Sequence, residues 1–317
     1  MNLSTLTDLE FLSVALRCSG DQIRDIIVNP EQFYVPLTVR RRASSSRPRF
    51  VFDVMDPLRR IHRTIALWLR PHLLEMDDCV HGFRPSRCFL SNARAHVGKE
   101  CVLTADLNDF FGTIPIGGVC DVFESLGAAR QVAITLARIC CYRGVLPQGA
   151  RCSPALANLF AMRLDKIVLG AIDSNCTYTR YADDLAISGP PDLVPETPQL
   201  SEWVASAGLR IRPDSVRRMH RQRGQYVTGL SVSGDSPRMP RRVRRSIEAF
   251  LHLLEKHGNF EFAYVKAFPE LRKKPRGRAG VTLVAGLCCS YRRVEPLNCD
   301  EWIGRLRACL AARHLAQ

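Results

Sequence analysis

The sequence predicts an α+β fold, and three observations support this prediction. Residues 178–188 are rich in β-branched and aromatic residues on both sides of two adjacent aspartates, a pattern typical of a strand, a turn and a second strand. Residues 102–106 form a short apolar stretch typical of a strand, and this stretch ends in a third aspartate. Apolar residues recur at helical spacing in residues 57–74 and 241–257, with arginines on the opposite face.

Composition limits the class of protein and its partners. The chain has 317 residues, 46% of them hydrophobic, which is enough for a sizeable core and more than one subdomain. Its formal net charge of +14 indicates a polyanionic partner, with nucleic acid as the default and a membrane surface as the rival. No long uncharged apolar run predicts a spanning helix, and the start lacks the basic region of a signal peptide. We therefore expect a cytoplasmic protein without a membrane partner.

The other elements follow from periodicity and from turn residues. Residues 3–28 are predicted to be helical with a break at Gly20, and residues 34–39 and 49–52 are predicted to form a hairpin. Further helices are predicted at 117–143, 153–168, 200–207 and 300–317. A further strand is predicted at 209–211 and a further hairpin at 226–232. The 13 cysteines show no Cys-x-x-Cys spacing and are interpreted as reduced thiols.

The three aspartates are the strongest chemical signal in the chain. Asp183 and Asp184 stand where the chain reverses, and two adjacent carboxylates there repel each other. A solvated turn would explain them, because Asp is a common turn residue. A hard divalent cation would remove the repulsion, because such cations take oxygen ligands. With Asp106 from the neighbouring strand, three carboxylates can hold two divalent ions about 3.5–4 Å apart.

The order of motifs resembles that of reverse transcriptases, and it is closest to the bacterial retron enzymes. The motifs that carry the resemblance are Asp106 to Phe111, Leu146-Pro147-Gln148-Gly149 and Tyr181-Ala182-Asp183-Asp184. Two further patterns resemble the retron group, namely Asn92-Ala-x-x-His96 and Val227-Thr228-Gly229. One such motif is a weak signal, but three in order at family-like spacing are a strong one. The resemblance extends from about residue 40 to about residue 258.

The resemblance implies an RNA-directed DNA polymerase with right-hand architecture. It implies N-terminal helices and fingers in residues 1–100, and a palm of antiparallel sheet and helices in residues 101–235. A second fingers segment would be inserted at about 112–150, and residues 236–317 would form a mainly helical thumb. Asp106, Asp183 and Asp184 would be the catalytic residues and would hold two Mg²⁺ ions.

The resemblance also implies a deoxynucleotide pocket. Arg49 would contact the triphosphate, since an arginine fork suits phosphate oxygens, although a basic hairpin could also hold template backbone. The backbone of Asp109 would meet the triphosphate, and Gln148 would face the nucleotide and template. Phe111 would exclude a 2′-hydroxyl by its bulk, or would be a core residue. Relatives usually carry lysine where Ser215 stands, so the group that protonates the pyrophosphate stays open.

Several residues are predicted to contact nucleic acid. Asn92 and His96 lie four apart on one helix face and would contact RNA 2′-hydroxyls or serve structurally. The segment Val227-Thr228-Gly229 would approach the primer strand, or would be a bulge in a hairpin. The helix that starts at residue 241 would neutralise phosphates of the template–product duplex, or would present a solvated basic face. Its candidate contacts are Arg241, Arg242, Arg244 and Arg245. Residues 272–278 form a basic loop that is a candidate for gripping structured RNA.

If the retron resemblance holds, the substrate follows from it. The enzyme would bind its own structured noncoding RNA, prime from a 2′-hydroxyl in that RNA and leave a branched RNA–DNA product. It would work with a separate effector protein in defence against phage. Two alternatives remain open. One is another bacterial reverse transcriptase, of the group II intron, diversity-generating or defence-associated type, and the other is a catalytically idle RNA-binding scaffold.

Overall fold

The structure is a computed structural model that describes residues 3–5, 8–39, 49–269 and 279–314. Its strands are β1 (Tyr34–Val39), β2 (Arg49–Val54), β3 (Cys101–Asp106), β4 (Thr177–Tyr181), β5 (Asp184–Gly189), β6 (Arg217–His220), β7 (Tyr226–Val227) and β8 (Leu230–Ser231). The first helices are α1 (Leu9–Leu16), α2 (Gly20–Val28), α3 (Leu58–Leu74), α4 (Phe89–Arg94), α5 (Ile116–Ser125) and α6 (Arg130–Cys140). The later helices are α7 (Ser153–Ala171), α8 (Thr197–Ser206), α9 (Arg241–His257), α10 (Phe260–Ala267), α11 (Ala279–Tyr291) and α12 (Pro296–His314).

A four-stranded antiparallel sheet lies at the centre, in the order β4-β5-β3-β6. The mix of sheet and helix confirms the predicted α+β class. Helix α7 packs against β4 and against helices α3, α5 and α8, so its buried face backs the sheet. One continuous core joins these elements to the N-terminal helices. The sheet is therefore supported on one side by a thick helical layer.

The predicted N-terminal hairpin is present. Strands β1 and β2 pair antiparallel, from Tyr34 opposite Val54 to Val39 opposite Arg49. The basic turn between them, residues 40–48, and the basic loop at 272–278 lie outside the described residues. Helices α1 and α2 are separated near Gly20 as predicted, and Asp8 caps α1 by accepting from the backbone N–H groups of Glu10 and Phe11.

The fourth strand of the sheet corrects the sequence prediction. The segment 209–211 is not a strand and makes only an isolated bridge between Ile211 and Leu107. The edge strand is instead β6, which pairs with β3 so that Thr104 lies opposite Arg217. Its sequence, Arg-Arg-Met-His, does not alternate between apolar and polar residues, which is why no strand was predicted there. The side chains of its first and last residues are exposed.

The C-terminal helices form a second core. Helix α9 buries Ile247, Phe250, Leu251 and Leu254, as predicted, against α10 and α12. It ends at Gly258, whose φ of 63° is the left-handed conformation that glycine adopts readily at helix ends. A small third cluster, which includes Val102, Val227 and Leu230, joins the sheet to the β7–β8 hairpin.

Candidate active site

The sheet register brings the three aspartates together at one end of β3 and β5. Asp106 lies directly opposite Asp184, so the two side chains share one face of the sheet. Asp183 is in the turn before β5, and its carbonyl accepts a hydrogen bond from the backbone N–H of Leu107 at 2.8 Å. The backbone directly after Asp106 is thus tied to the turn. This convergence is the one that the sequence predicted.

The turn between β4 and β5 is held in an unusual conformation. Ala182 has a φ of 58°, which is uncommon for a residue with a side chain and costs free energy. The backbone of Gly82 lies against it, since a Cβ atom on Gly82 would stand 2.1 Å from the nitrogen of Ala182. The N–H of His81 donates to the carbonyl of Arg180 at 2.8 Å, which fixes this approach.

A buried polar network lies beneath the turn, and no sequence pattern predicted it. The guanidinium of Arg180 is completely buried and pairs with Asp165 of α7, at 2.6 Å for Nη2 and 2.8 Å for Nε. Its Nη1 atom donates to the side-chain oxygen of Asn158 at 2.8 Å, and Asn158 in turn donates to the carbonyl of Gly82 at 2.7 Å. The network therefore links α7, the turn and the segment at Gly82.

The chemistry of this donor set suits hard divalent cations. Two carboxylates from adjoining strands and one from the turn before β5 supply only oxygen ligands, which Mg²⁺ prefers. In this structure the guanidinium of Arg212 forms an ion pair with Asp106, so a positive group is already held beside the acids. The N–H of Arg212 also donates to the carbonyl of Asp106 at 2.8 Å. Arg212 was not among the residues that the sequence analysis singled out.

The residue in place of the usual lysine has a structural role here. Ser215 is buried, and its hydroxyl accepts from the N–H of Asp106 at 3.0 Å and lies 2.7 Å from the carbonyl of Arg212. Arg218 donates to carbonyls of the loop before α8, among them that of Pro195 at 3.2 Å. Arg217 is exposed, and its pairing opposite Thr104 places its side chain on the same sheet face as that of Asp106.

The predicted nucleotide-binding residues differ in exposure. Phe110 is buried whereas Phe111 is half-buried, and the ring of Phe111 lies 6.2 Å from that of Phe83. Asp109 is exposed with a φ of 44°. Gln148 is half-buried, and its carbonyl accepts from the N–H of Phe52 in β2 at 2.8 Å.

The hydrogen bond from Phe52 to the carbonyl of Gln148 ties the loop of Gln148 to β2, the strand that begins with Arg49. The side chain of Arg49 lies outside what the structure describes.

Two of the predicted nucleic-acid contacts are corrected by burial. His96 has no exposed surface, and its ring nitrogens bond the hydroxyls of Ser188 and Thr179, each at 2.7 Å. Asn92 is 1% exposed. Neither side chain is accessible to RNA, so the pair serves packing of α4 against the sheet. The prediction failed because a polar pair at helical spacing gives no indication of which face is buried.

The Val227-Thr228-Gly229 segment is also only partly exposed. Thr228 and Gly229 both have positive φ, at 46° and 78°, and they form the two-residue turn of the β7–β8 hairpin. The side chain of Val227 is buried, and the hydroxyl of Thr228 donates to the carbonyl of Phe89 at 2.8 Å. Val227 is therefore a core residue, and only Gly229 is exposed.

The predicted arginines of α9 divide into two groups. Arg241, Arg242 and Arg245 are exposed. Arg244 instead forms an ion pair with Glu295, which also accepts from the N–H of Met239 at 3.1 Å. Arg244 therefore braces α9 against the start of α12.

A basic cavity of about 500 Å³ opens beside the site, and the sequence analysis did not predict it. Its lining includes Arg63, Arg70, Arg84 and Arg151 around the ring of Phe83. Phe83 is 45% exposed and has a φ of 53°, so an aromatic ring is held at the surface by strained backbone.

Among the described residues, no helix is both long enough and apolar enough to span a bilayer.

Comparison with known proteins places this arrangement in a class. A family model described as reverse transcriptase (RNA-dependent DNA polymerase) matches residues 42–235. This match covers more than half of the chain and includes all three aspartates. The chain is therefore an RNA-directed DNA polymerase.

Individual relatives define the group within that class. The chain is 31% identical over 255 residues to the retron Ec86 reverse transcriptase of Escherichia coli. This alignment covers 80% of this chain and 79% of the relative. It is 30% identical over 295 residues to the retron Mx162 reverse transcriptase of Myxococcus xanthus, covering 79% of this chain and 59% of the relative. The chain belongs to the bacterial retron reverse transcriptases. A solved telomerase of Candida albicans, in complex with a fragment of telomeric RNA, aligns at 10% identity with a TM-score of 0.47, covering 87% of this chain and 63% of that one. That likeness is too low to support a conclusion.

Proposed function

We propose that this reverse transcriptase copies part of a structured noncoding RNA that it binds specifically. The observation that carries the proposal is the convergence of Asp106, Asp183 and Asp184 in a chain that belongs to the retron group. The central sheet would be the palm, the β1–β2 hairpin and α3 the fingers, and α9 to α12 the thumb. The domain limits would be 1–100, 101–235 and 236–317.

The three aspartates would hold two Mg²⁺ ions. When bound, such ions activate a primer hydroxyl and stabilise the in-line displacement at the α-phosphate. The residues around them orient the substrate. Phe111 would exclude a ribose 2′-hydroxyl by its bulk, Gln148 and Arg49 would position the deoxynucleotide, and the backbone at Asp109 would meet its triphosphate.

The group that assists the leaving pyrophosphate is Arg217 in this proposal. Its side chain shares the sheet face of Asp106, whereas Ser215 and Arg218 are engaged with backbone groups. An arginine keeps its proton, so its contribution would be electrostatic rather than acid catalysis.

The nucleic-acid path would follow the positive charge. The cavity lined by Arg63, Arg70, Arg84 and Arg151 would receive template phosphates, and the exposed ring of Phe83 would stack on a base. The exposed arginines of α9 would run along the template–product duplex. The primer would be a 2′-hydroxyl of the same RNA, and the product a branched RNA–DNA molecule. A separate effector would use this complex in defence against phage.

One experiment tests the whole proposal. The chain is expressed with its native upstream flanking DNA, and total nucleic acid is labelled with and without ribonuclease treatment. We expect a discrete short DNA joined to RNA, which disappears when Asp183→Asn and Asp184→Asn are combined. Heterogeneous DNA without a branch would indicate another type of bacterial reverse transcriptase. A specific RNA that copurifies without any DNA would indicate a scaffold.

A further inference from the structure

Three buried side chains from distant parts of the chain meet behind the fingers hairpin. They are His62 of α3, Cys140 at the end of α6 and Cys152 directly before α7, and none has exposed surface. The ring nitrogen and the two sulfur atoms that they offer lie within 4.8 Å of one another. The proposed polymerase site uses none of these groups.

The imidazole of His62 has the arrangement of a metal ligand. Its Nε2 atom lies 2.9 Å from the carbonyl oxygen of Ile139, which can only accept a hydrogen bond. The proton therefore belongs to Nε2, and the lone pair to Nδ1. A metal-bound histidine almost always donates its other N–H group to a carbonyl or carboxylate in this way.

The Nδ1 atom of His62 is buried beside sulfur. It forms no hydrogen bond to a nitrogen or oxygen atom among the described residues, and its partner is the thiol of Cys152. The hydroxyl of Tyr34 is buried and has no hydrogen-bond partner in this part of the chain, and its ring centroid lies 6.3 Å from that of His62. Buried polar atoms nearly always have partners, so an unpartnered hydroxyl beside a cluster of one imidazole and two thiols indicates a ligand that the cluster can bind.

We propose that His62, Cys140 and Cys152 bind one Zn²⁺ ion. Imidazole nitrogen and thiolate sulfur are the ligands that zinc prefers. In a tetrahedral site with Zn–S distances near 2.3 Å, the ligand atoms stand about 3.8 Å apart, so the separations in the cluster need to shorten by at most about 1 Å. Zinc needs both sulfurs as thiolates and a free lone pair on His62 Nδ1, so binding releases two protons from the cluster. The hydroxyl of Tyr34 would fill the fourth position or hold a water there.

The position of the ion gives it a role in the proposed nucleotide pocket. Cys140 and Cys152 stand at the two ends of the segment that carries Gln148. Next to Cys152, Ser153 Oγ donates to the carbonyl of Pro147 at 2.7 Å, and the carbonyl of Gln148 accepts from Phe52. An ion at the base of this loop would fix the loop against the fingers hairpin. This consequence rests on the proposed function, whereas zinc binding itself does not.

Zinc stoichiometry tests the proposal without any assay of polymerisation. Full-length protein is purified, stripped with a chelating resin, reloaded with ZnSO₄ and measured by inductively coupled plasma mass spectrometry. We expect about one zinc per chain for the wild type and for Cys299→Ala, which removes a buried thiol of the C-terminal core. We expect a loss of at least about tenfold in zinc affinity for Cys152→Ala and for His62→Gln. The Asp183→Asn, Asp184→Asn double variant should keep its zinc.

Cobalt provides a second readout that reports the ligands directly. Co²⁺ in the stripped wild-type protein should show the thiolate charge-transfer and d–d bands of a tetrahedral site, and these bands should be absent in Cys140→Ala. A wild-type protein that binds no zinc, or a zinc ion retained when both cysteines are replaced, would overturn the proposal. A Cys140–Cys152 disulfide found by peptide mass mapping of the isolated protein would also overturn it. Loss of zinc in the aspartate double variant would mean that the metal was bound at the polymerase site instead.

Discussion

At the scale of single residues, the glycine that touches the turn between β4 and β5 has no room for a side chain. A Cβ atom on Gly82 would lie 2.1 Å from the backbone nitrogen of Ala182, and backbone there cannot yield without moving Asp183. A displacement of about 1 Å at a reacting centre costs on the order of 10²-fold in rate. We therefore expect Gly82→Ala to lower kcat for primer extension by about that factor.

The matched control for this change is Gly20→Ala. Gly20 is at the start of α2, and a Cβ atom there would meet nothing within 4 Å. Its primer extension rate should stay at the wild-type value. A Gly82→Ala enzyme with wild-type kcat would show that the turn tolerates displacement and that the close packing has no role in catalysis.

The buried arginine beneath the turn leads to a second prediction. Replacing Arg180 by leucine leaves the carboxylate of Asp165 buried without a positively charged partner, which destabilises a protein by about 3–5 kcal/mol. Urea unfolding should show a loss of this size. The exposed pair of Arg130 and Glu124 is the control, because Arg130→Ala should change stability by less than about 1 kcal/mol.

The double variant Arg180→Leu, Asp165→Leu separates stability from positioning. Removing both charges should recover much of the lost stability, because no unpaired charge is left behind. Primer extension should stay low, since the donor to Asn158 and the support of the turn are still missing. Recovery of both stability and activity would show that Arg180 only balances the charge of Asp165.

At the scale of elements, His96, which follows α4, links that helix to strands β4 and β5. Burial, together with the nearby charges of His81 and Lys99, lowers the pKa of His96 to about 3. The unfolded chain takes up a proton near pH 6.5, whereas the folded protein does not until the pH is far lower. The stability from this buried neutral ring is complete above pH 6.5 and is lost as the pH falls from there towards 3.

The slope of stability against pH therefore provides a test. The unfolding free energy should fall by up to about 1.4 kcal/mol per pH unit below pH 6.5 on account of His96. Burial, with the charges of Arg87 and Arg84, also lowers the pKa of His81, to about 4, so His81 adds a similar trend over a narrower range. His96→Gln should reduce the slope, measured by urea unfolding at pH 5 and 7, and an unchanged slope would show that the histidine is not kept neutral by burial.

Elements also show what sequence patterns predict and where they fail. The strand ends at Asp106 and Asp184 were predictable because apolar runs and a turn set the register of a hairpin. The edge strand β6 was missed because its exposed arginines hide the alternation. The inward direction of His96 was not predictable, because it depends on contacts with Ser188 and Thr179 from strands much later in the chain.

At the scale of the whole molecule, charge and burial separate residues that look alike in sequence. Arg180 has no exposed surface, while Arg241 and Arg245 are exposed, yet no local pattern distinguishes the three arginines. The meeting of His62, Cys140 and Cys152 depends on the packing of three helices and is equally invisible to spacing rules. Long-range packing therefore decides which basic and sulfur-containing residues are available to a ligand.

The net charge of +14 leads to the last prediction, which concerns binding to nucleic acid. If Arg241 and Arg245 each neutralise a phosphate, their replacement by glutamine removes two released counterions. The slope of log K against log salt concentration should then become shallower by about 0.7–0.9 for each phosphate that is no longer neutralised. Fluorescence anisotropy with an RNA–DNA hybrid, at KCl concentrations between about 50 and 300 mM, measures this change.

The control for this experiment is Arg24→Gln, since Arg24 is also an exposed arginine and lies on α2, beside Asp21 and far along the chain from α9. Its salt slope should match that of the wild type, although the net charge falls by the same amount per substitution. Equal slopes for the α9 variant and the wild type would mean that these arginines form only a solvated face. An equal decrease in slope for Arg24→Gln would mean that total charge, rather than the placement of charge on α9, governs binding. The substitutions on α9 and on α2 change different quantities. Loss of a local phosphate contact lowers the number of released counterions, whereas loss of a distant charge weakens only the long-range attraction.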